Sequence, residues 1–444
     1  MLMKISPNNL KTGLIVIGVI LLILLLNINN FRGSIPINNI SPLSYATLNN
    51  ELFGFGSNFG GQLGLSNLLK SPLEVQSIQT KDIVAYDAGN KHSIVLTSAG
   101  EVIQYGVNGI PGESNQRYIE YKEGEELKRL TNVVSISAGA DYSLALLNDG
   151  SVWAWGSNLT AQLGQGNNEE SIYAKKINQL KDITQISAGY KFGLALNKYG
   201  EVYAWGGSCE ESKRQKAEEW LANPTTVIGV GGYYDPTSLG GNENNINNQS
   251  EDFNSYCANQ EVIGFTSKVP IKIEGLNSIT KISAGWGHTL AIDTNGEVWG
   301  VGCNLYSQVS NTPDHMKPYK IPGLKNIAEV SAGFRHSLAL TKEGKVYSWG
   351  HNLRGSLGLK ESSDKEVTPK LISVNNISSI SAGHDFSVLT DTNNKLIIFG
   401  ENNSGVITKD LNTIYTPNPT FIYKDKSFSS AVAGKSFVLA LTNY

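Results

Sequence analysis

The sequence has few charged side chains, and it lacks the short motifs that mark most enzyme active sites. Charged residues make up 17% of its 444 positions, the net charge is -3, and no stretch is dense in lysine or arginine. Since nucleic-acid binding needs clustered positive charge, no nucleic acid is expected among its partners. The sequence contains no HExxH, GxSxG or P-loop motif and no GxGxxG motif after a strand. It therefore predicts no catalytic residue, no metal site and no cofactor.

Long apolar runs are absent except for one at the N-terminus. Residues 12–28 (TGLIVIGVILLILLLNI) carry no charge and reach the lower end of the length that crosses a bilayer as a helix. Lys4 and Lys11 precede this run and Arg32 follows it, which predicts a cytoplasmic segment at 1–11 and an extracytoplasmic body. Because no small-x-small cleavage site follows, we expect an uncleaved signal anchor in the cell membrane. A secreted protein is expected if the run is cleaved.

The rest of the chain is built from a repeat. After a polar linker at 29–50, an Ala-Gly pair recurs, and in six copies a glycine that ends a Trp-Gly-like segment follows 17 residues later. The Ala-Gly glycines, called marker glycines below, are Gly89, Gly139, Gly189, Gly285, Gly333, Gly383 and Gly434. The second set, called strand-end glycines, is Gly56, Gly106, Gly156, Gly206, Gly302, Gly350 and Gly400. The fixed spacing indicates seven copies of one structural unit.

Each unit is predicted to form four short strands. Segments such as SLALTKEGKVYSWG place apolar runs on both sides of a glycine turn, as in a β-hairpin, and β-rich runs lie upstream. Four-stranded units with a period of about 40 to 50 residues are typical of a propeller, so we predict an all-β, seven-bladed propeller over 51–444. The last unit stops early, and NELFGFG at 50–56 supplies its missing strand. The ring should therefore close by pairing the two ends of the chain.

The stretches AGFRHSLALTKEGKVYSWGHNLRGSLGL and FGSNFGGQLGL resemble repeats of the regulator of chromosome condensation family. This resemblance covers about 51–444 and implies a seven-bladed propeller with the same closure. The family includes a nuclear guanine-nucleotide exchange factor, modules attached to ubiquitin ligases and an exported propeller-type β-lactamase inhibitory protein. All of these act by gripping another protein, so the resemblance implies a protein partner.

Most polar residues of the repeat are expected to be structural. Three histidines share the third position after a marker glycine, where other units carry Phe or Tyr: His92, His288 and His336. A position that Phe fills cannot require a proton carrier or a metal ligand. The other histidines show no metal-binding spacing: His315, His351 and His384. An asparagine recurs two positions after the strand-end glycine and is expected to form turns: Asn58, Asn108, Asn158, Asn304, Asn352 and Asn402.

The residue directly after the marker glycine varies, and it is aromatic in four successive units: Tyr190, Trp286, Phe334 and His384. Equivalent positions should lie side by side around one mouth of the ring, with Lys191, Arg335 and Asp385 next to the rings. Large rings with flanking charges are typical of protein-binding hot spots. We predict that the four rings, Arg335 and Asp385 contact a partner, with simple packing between blades as the alternative.

One unit carries an insertion. The step between Gly189 and Gly285 is 96 residues, which places about 46 extra residues at roughly 207–260. Tyr233 and Tyr234 make this insertion a second candidate contact surface, and a surface elaboration without function is the alternative. Cys209 and Cys257 lie in the insertion and can form a disulfide outside the cytoplasm, with a pairing of Cys257 and Cys303 as the alternative.

Together these observations predict a monomeric, membrane-tethered, extracytoplasmic propeller that binds a protein and is not an enzyme. It could inhibit or scaffold a secreted or surface protein. Two alternatives stay open: a guanine-nucleotide exchange factor-like regulator of a small GTPase, and a cell-wall polysaccharide-binding protein. Exchange activity needs a cytoplasmic or nuclear partner, and the paired carboxylates that polysaccharide chemistry uses are few.

Overall fold

The structure, a computed structural model, describes a large part of the chain. The described residues are 51–64, 76–78, 80, 82–107, 116–207, 267–304, 306–309, 317–360, 363–408 and 412–442. The predicted anchor at 12–28, the linker at 29–50 and nearly all of the insertion at 207–260 lie outside them. The described part of the chain contains no helix that could span a bilayer.

The described residues form seven four-stranded antiparallel sheets, called blades, and one separate hairpin. Blade 1 is β3 (Ile83–Ala88), β4 (His92–Thr97), β5 (Val102–Gly106) and β6 (Gln116–Tyr118). Blade 2 is β9 (Val133–Ala138), β10 (Tyr142–Leu147), β11 (Val152–Gly156) and β12 (Ser171–Lys176). Blade 3 is β13 (Ile183–Ala188), β14 (Phe192–Asn197), β15 (Val202–Gly206) and β16 (Ser267–Lys272). Blade 4 is β17 (Ile279–Ala284), β18 (His288–Asp293), β19 (Val298–Gly302) and β20 (Tyr319–Lys320).

The remaining blades follow the same order. Blade 5 is β21 (Ile327–Ala332), β22 (His336–Thr341), β23 (Val346–His351) and β24 (Lys365–Leu371). Blade 6 is β25 (Ile377–Ala382), β26 (Phe386–Asp391), β27 (Leu396–Glu401) and β28 (Tyr415–Ile422). Blade 7 is β29 (Ser430–Ala433), β30 (Phe437–Leu441), β1 (Leu52–Gly56) and β2 (Gln76–Ile78), and the separate hairpin is β7 (Glu120–Glu123) with β8 (Glu126–Arg129). The predicted all-β fold with seven blades is confirmed.

Blade 7 joins the two ends of the described chain. Its strand order is β2-β1-β30-β29, so two strands from each end make one sheet. In the register, Leu52 lies opposite Leu441 and Phe55 lies opposite Val438. The predicted closure is therefore confirmed, and an intact ring requires both ends of the described chain.

The hydrophobic core lies between the blades. One buried cluster combines Leu144 and Ala154 of blade 2 with Ile186 and Trp205 of blade 3, and the other clusters pair neighbouring blades in a similar way. Trp205 is fully buried, and its indole N–H donates to the carbonyl of Gln162 at 2.8 Å. Each sheet thus covers the apolar face of the next, which explains why the strands are apolar on both faces.

The blades approach one another most closely at the marker glycines. A Cβ built on any of the seven would lie 2.5 to 2.9 Å from the carbonyl oxygen of the marker glycine in the next blade, closer than non-bonded atoms can come. Beside this contact, backbone bonds cross between blades, as from Trp286 N to Gly333 O at 3.1 Å and from Phe334 N to Gly383 O at 3.0 Å. The sequence demands glycine here for space between blades.

A serine in the strand before five of the seven marker glycines adds a second bond between blades. The Ser137 hydroxyl oxygen accepts from the Ala188 N–H of blade 3 at 3.0 Å, and four further junctions repeat this bond. Blade 7 has Val432 at this position. Blade 1 has Asp87, whose two oxygens accept from Ala138 N and from its own Ala88 N, both at 2.8 Å. Burial raises the pKa of Asp87 to about 6.

The histidines at the third position after a marker glycine hold neighbouring blades together. Nε2 of His92, His288 and His336 lies 2.9 to 3.0 Å from the hydroxyl of a serine in the next blade. Ser337 donates its own proton to the carbonyl of Gln308, so the hydrogen on His288 must sit on Nε2. Nδ1 is buried and has no hydrogen-bond partner among the described residues. The predicted structural role fits this geometry.

The recurring asparagines organise the turn after each strand-end glycine. The Asn158 side-chain oxygen accepts from Leu163 N at 2.8 Å. Asn58, Asn304, Asn352 and Asn402 accept equivalent bonds five residues ahead. Asn108 lies outside the described residues. The predicted turn role is confirmed for the described members.

Closure can be tested at Leu439, a fully buried residue of β30. Leu439→Ala should lower the free energy of unfolding by about 3 kcal/mol, because it leaves a cavity in a packed core. Leu127→Ala, at a site that is 48% exposed in the separate hairpin, should change it by less than about 0.5 kcal/mol. None of the seven tryptophans lies in blade 7. Tryptophan fluorescence and circular dichroism in urea should therefore shift together; an unchanged fluorescence transition in Leu439→Ala would mean that the ring does not unfold as a unit.

The buried histidines predict sensitivity to acid. Burial, reinforced by the nearby His336, lowers the pKa of His288 to about 3 from its ordinary value near 6.5. Because the pKa is lower in the folded state, the stability from the neutral ring is complete above about pH 6.5 and is lost as the pH falls toward 3. His288→Phe should therefore lose up to about 3 kcal/mol less stability than the parent between pH 7 and pH 4, at 1.36 kcal/mol per pKa unit.

The control for this prediction is Tyr142→Phe at the equivalent position of blade 2. It removes the hydroxyl that donates to the carbonyl of Phe192, and it should lower the stability by a similar amount at both pH values. The measurement is urea unfolding across the pH range. Parallel curves for His288→Phe and the parent would contradict the assignment of acid sensitivity to His288.

Candidate functional site

The residues after the marker glycines surround one mouth of the ring, as the sequence predicts. We call this mouth, with the residues that follow in each loop, the mouth face. Its four ring-bearing residues are brought together. The ring of Phe334 lies 4.8 Å from Trp286, 6.1 Å from Tyr190 and 3.7 Å from His384, measured between ring centres. The Phe334 and His384 rings are stacked, with 20° between their planes.

Exposure within this cluster is uneven. Trp286 is 8% exposed and Phe334 is 7% exposed, so these two rings are mostly buried against each other. Tyr190 and His384 are half-buried and form the accessible edges of the cluster. The sequence predicts that all four rings face a partner. In the structure Trp286 and Phe334 instead fill the narrow space at the mouth, which the sequence pattern does not reveal.

Charged side chains border the cluster. The Arg335 guanidinium carbon lies 4.6 Å from the ring centre of Phe334 and 4.9 Å from that of Tyr306, distances typical of cation–π contacts. On the other side, Lys191 Nζ lies 3.4 Å from a carboxylate oxygen of Asp141 in blade 2. Tyr306 was not predicted from the sequence, because its loop position lies far from the marker glycine.

A second group of polar residues lies at the edge of the mouth, where blade 5 meets blade 6. His384 Nδ1 donates to Asp385 Oδ2 at 2.8 Å, and His351 Nδ1 lies 3.8 Å from Asp385 Oδ1. One ligand atom each from His384, Asp385 and Glu401 lies within 4.8 Å of the others. Sequence spacing did not suggest this meeting, because His351 comes from blade 5 and Glu401 ends a later strand of blade 6 than the loop that carries His384 and Asp385.

The charges of this group are strongly coupled. Burial alone would raise the pKa of Asp385, but His384, Arg335 and His351 together hold it well below its usual range. Burial and the charge of Asp385 raise the pKa of Glu401. Burial lowers the pKa of His351 although Asp385 opposes this effect. At neutral pH the group therefore combines an ionised carboxylate with a neutral buried imidazole.

The fold explains why these residues meet. In every blade, the N–H of the residue after the strand-end glycine donates to the carbonyl of the second residue after the marker glycine. This bond joins His351 to Arg335 at 2.9 Å and Glu401 to Asp385 at 2.8 Å. The two positions are thus neighbours seven times around the ring, and their side chains differ from blade to blade.

The other predicted site residues fall elsewhere. Tyr233 and Tyr234 of the insertion, and the predicted disulfide partners Cys209 and Cys257, lie outside the described residues. Cys303 is fully buried in blade 4, where Gln308 Nε2 lies 3.5 Å from its sulfur.

Comparison with known proteins agrees with this fold. Models of the regulator of chromosome condensation (RCC1) repeat match residues 133–165, 183–210, 279–308 and 327–356, and also 49–96, 295–340 and 343–390. A 62-residue segment, 14% of this chain, is 39% identical to the human probable E3 ubiquitin-protein ligase HERC3. The matched segment spans only 6% of that ligase.

Solved structures extend the likeness to nearly the whole chain. Prp20p from Saccharomyces cerevisiae, solved in a study of its binding properties to Gsp1p and histones, is 20% identical with a TM-score of 0.67, over 91% of this chain and 96% of that chain. Human WBSCR16 is 17% identical with a TM-score of 0.64, over 89% of this chain and 99% of that chain. At these sequence identities the similarity shows a shared fold and nothing about function. The repeat matches and the seven blades lead to one conclusion: the chain belongs to the regulator of chromosome condensation (RCC1) repeat family.

Proposed function

We propose that this chain is a non-catalytic propeller that binds another protein through its mouth face. One observation carries the proposal: a continuous cluster of four rings lies at the mouth, bordered by Arg335 on one side and by the Lys191–Asp141 pair on the other. Aromatic residues and arginine carry most of the energy at protein interfaces. A rigid aromatic base with charged borders offers both apolar contact and orientation to a partner.

The burial of Trp286 and Phe334 refines this proposal. These two rings form a floor, and the contact with a partner falls on Tyr190, Arg335 and His384 around it. Such an arrangement is pre-organised, because the floor fixes the accessible groups before the partner arrives. Less conformational entropy is then lost on binding.

Known relatives support a protein partner without identifying it. Prp20p is described with its binding to Gsp1p and histones, and a second structure, 18% identical with a TM-score of 0.65 over 93% of this chain and 96% of that chain, is that of yeast RCC1 (Prp20) bound to Kap60. For this chain the apolar run at 12–28 favours a membrane-tethered, extracytoplasmic partner-binding role. Inhibition or scaffolding of a secreted or surface protein fits that location.

The test compares two faces of the same ring. Tyr190→Ala with Arg335→Ala removes two accessible groups of the mouth face and leaves its floor intact. We expect the combined change to weaken partner binding by about 30-fold or more, since loss of one hot spot costs about 2 kcal/mol. Tyr199→Ala is the control, because Tyr199 is 67% exposed in the turn at the far end of β14. The full chain, expressed in its native host, is cross-linked, and captured proteins are quantified by mass spectrometry.

Both variants must first match the parent in urea unfolding, so that any loss of capture reflects the surface. The proposal predicts a partner that the parent and Tyr199→Ala capture and that the mouth variant does not. Equal capture by all three proteins would exclude the mouth face as the binding surface.

A further inference from the structure

We propose that His351, His384, Asp385 and Glu401 form a binding site for a divalent first-row transition metal, with Zn²⁺ as the best match. The four residues come from adjacent blades. His351 and Glu401 occupy the same position, directly after the strand-end glycine, in blades 5 and 6. His384 and Asp385 lie on the loop of blade 6 that contacts them.

The equivalent positions of the other blades offer no such set. In each blade a backbone bond joins the second residue after the marker glycine to the first residue after the strand-end glycine. In the other five blades these two positions hold Lys91 with Val107, Asp141 with Ser157, Lys191 with Gly207, Gly287 with Cys303, and Ser436 with Ser57. Imidazoles and paired carboxylates meet at one of the seven junctions between described blades. The concentration of ligand-type side chains at one point of a repeated scaffold favours a role beyond packing.

The distances suit a metal after a small contraction. In a tetrahedral Zn²⁺ site with bonds of about 2.1 Å, ligand atoms lie about 3.4 Å apart. His351 Nδ1 lies 3.8 Å from Asp385 Oδ1, and the ligand atoms of His384, Asp385 and Glu401 lie within 4.8 Å of one another. Small rotations of the His384, Asp385 and Glu401 side chains would bring their ligand atoms closer together, and His351 approaches the same Asp385 carboxylate from blade 5.

His351 provides an independent observation in favour of a ligand. Its side chain is 11% exposed, and Nδ1 is a buried atom with no hydrogen-bond partner in the described part of the chain. This nitrogen faces the carboxylate of Asp385. A buried polar atom without a partner costs free energy, and coordination of a cation would satisfy it. Mixed nitrogen and carboxylate ligands suit Zn²⁺ and its neighbours better than Ca²⁺ or Mg²⁺.

Two carboxylates, those of Asp385 and Glu401, meet at this site, and a bound dication would offset their negative charge. Asn403 donates to Glu401 Oε1 at 2.7 Å, and Arg354 Nε lies 3.9 Å from the same oxygen. These contacts orient the carboxylate from outside, in the manner of groups that support metal ligands. The ring of His384 is held by its stacking on Phe334.

The experiment uses the full chain, freed of metal with a chelator. Zn²⁺ is titrated against a chromophoric competitor, and Co²⁺ is used as a second probe because its visible absorption reports coordination by nitrogen and oxygen. We expect one tight site per chain in the parent. His351→Gln and Glu401→Gln should each weaken Zn²⁺ binding by at least about 10-fold. Glu126→Gln is the control, because Glu126 is an exposed carboxylate of the separate hairpin, and it should bind as the parent does.

A second measurement separates loss of the site from loss of the fold. Without metal, the variants should unfold at the same urea concentration as the metal-free parent, to within a few tenths molar. Added Zn²⁺ should raise this midpoint for the parent and for Glu126→Gln but not for the two site variants. Zn²⁺ binding that survives both site substitutions would place the metal elsewhere and overturn the proposal. Absence of saturable Zn²⁺ and Co²⁺ binding by the parent would overturn it as well.

Discussion

The close approach of neighbouring blades at the axis is the constraint on which this structure depends. The marker glycines let the backbone of each blade nearly touch that of the next, with space for no side chain between them. Only at this separation can the serine hydroxyls reach the alanine N–H groups of the following blade, and the histidines reach its serines. The apolar faces then close over one another farther from the axis. Contacts near the axis thus set the geometry for the packing outside it.

The same constraint explains how a uniform scaffold carries a varied surface. The marker glycine cannot change, but the residue after it faces the mouth and is free to differ: Asn90, Ala140, Tyr190, Trp286, Phe334, His384 and Lys435. Blades 3 to 6 use this freedom for a connected group of rings. The junction between blades 5 and 6 uses the neighbouring positions for imidazoles and carboxylates. Function on this fold is therefore a matter of which blade carries which side chain.

The sequence was sufficient for the fold because the signal was repeated seven times. Marker and strand-end glycines predicted the blade count, and the incomplete last unit predicted the pairing of Leu52 with Leu441. Burial at the mouth was not predictable, because it depends on how closely Trp286 and Phe334 approach each other across blades.

The meeting of His351 with Asp385 was also not predicted from the sequence. An alignment of the units would have indicated it, because His351 and Glu401 then share one position. That position neighbours the one that Asp385 occupies in its blade. A similar alignment exposes matched partners between blades, such as His288 with Ser337.

Closure through blade 7 brings the two ends of the described chain together. Thr442 N donates to the carbonyl of Glu51 at 3.0 Å, and Thr442 Oγ1 lies within hydrogen-bond distance of the same residue. A short peptide could therefore bridge these positions, and the chain could instead be opened at an exposed turn such as the one at Tyr199. A circular permutant of this kind would keep every strand neighbour. It would also move the attachment point of any tether from blade 7 to blade 3 on the same face of the ring, because the turn at Tyr199 and the junction of residues 442 and 51 occupy equivalent places in their blades. The mouth would keep every contact while the tether left the ring from a different blade.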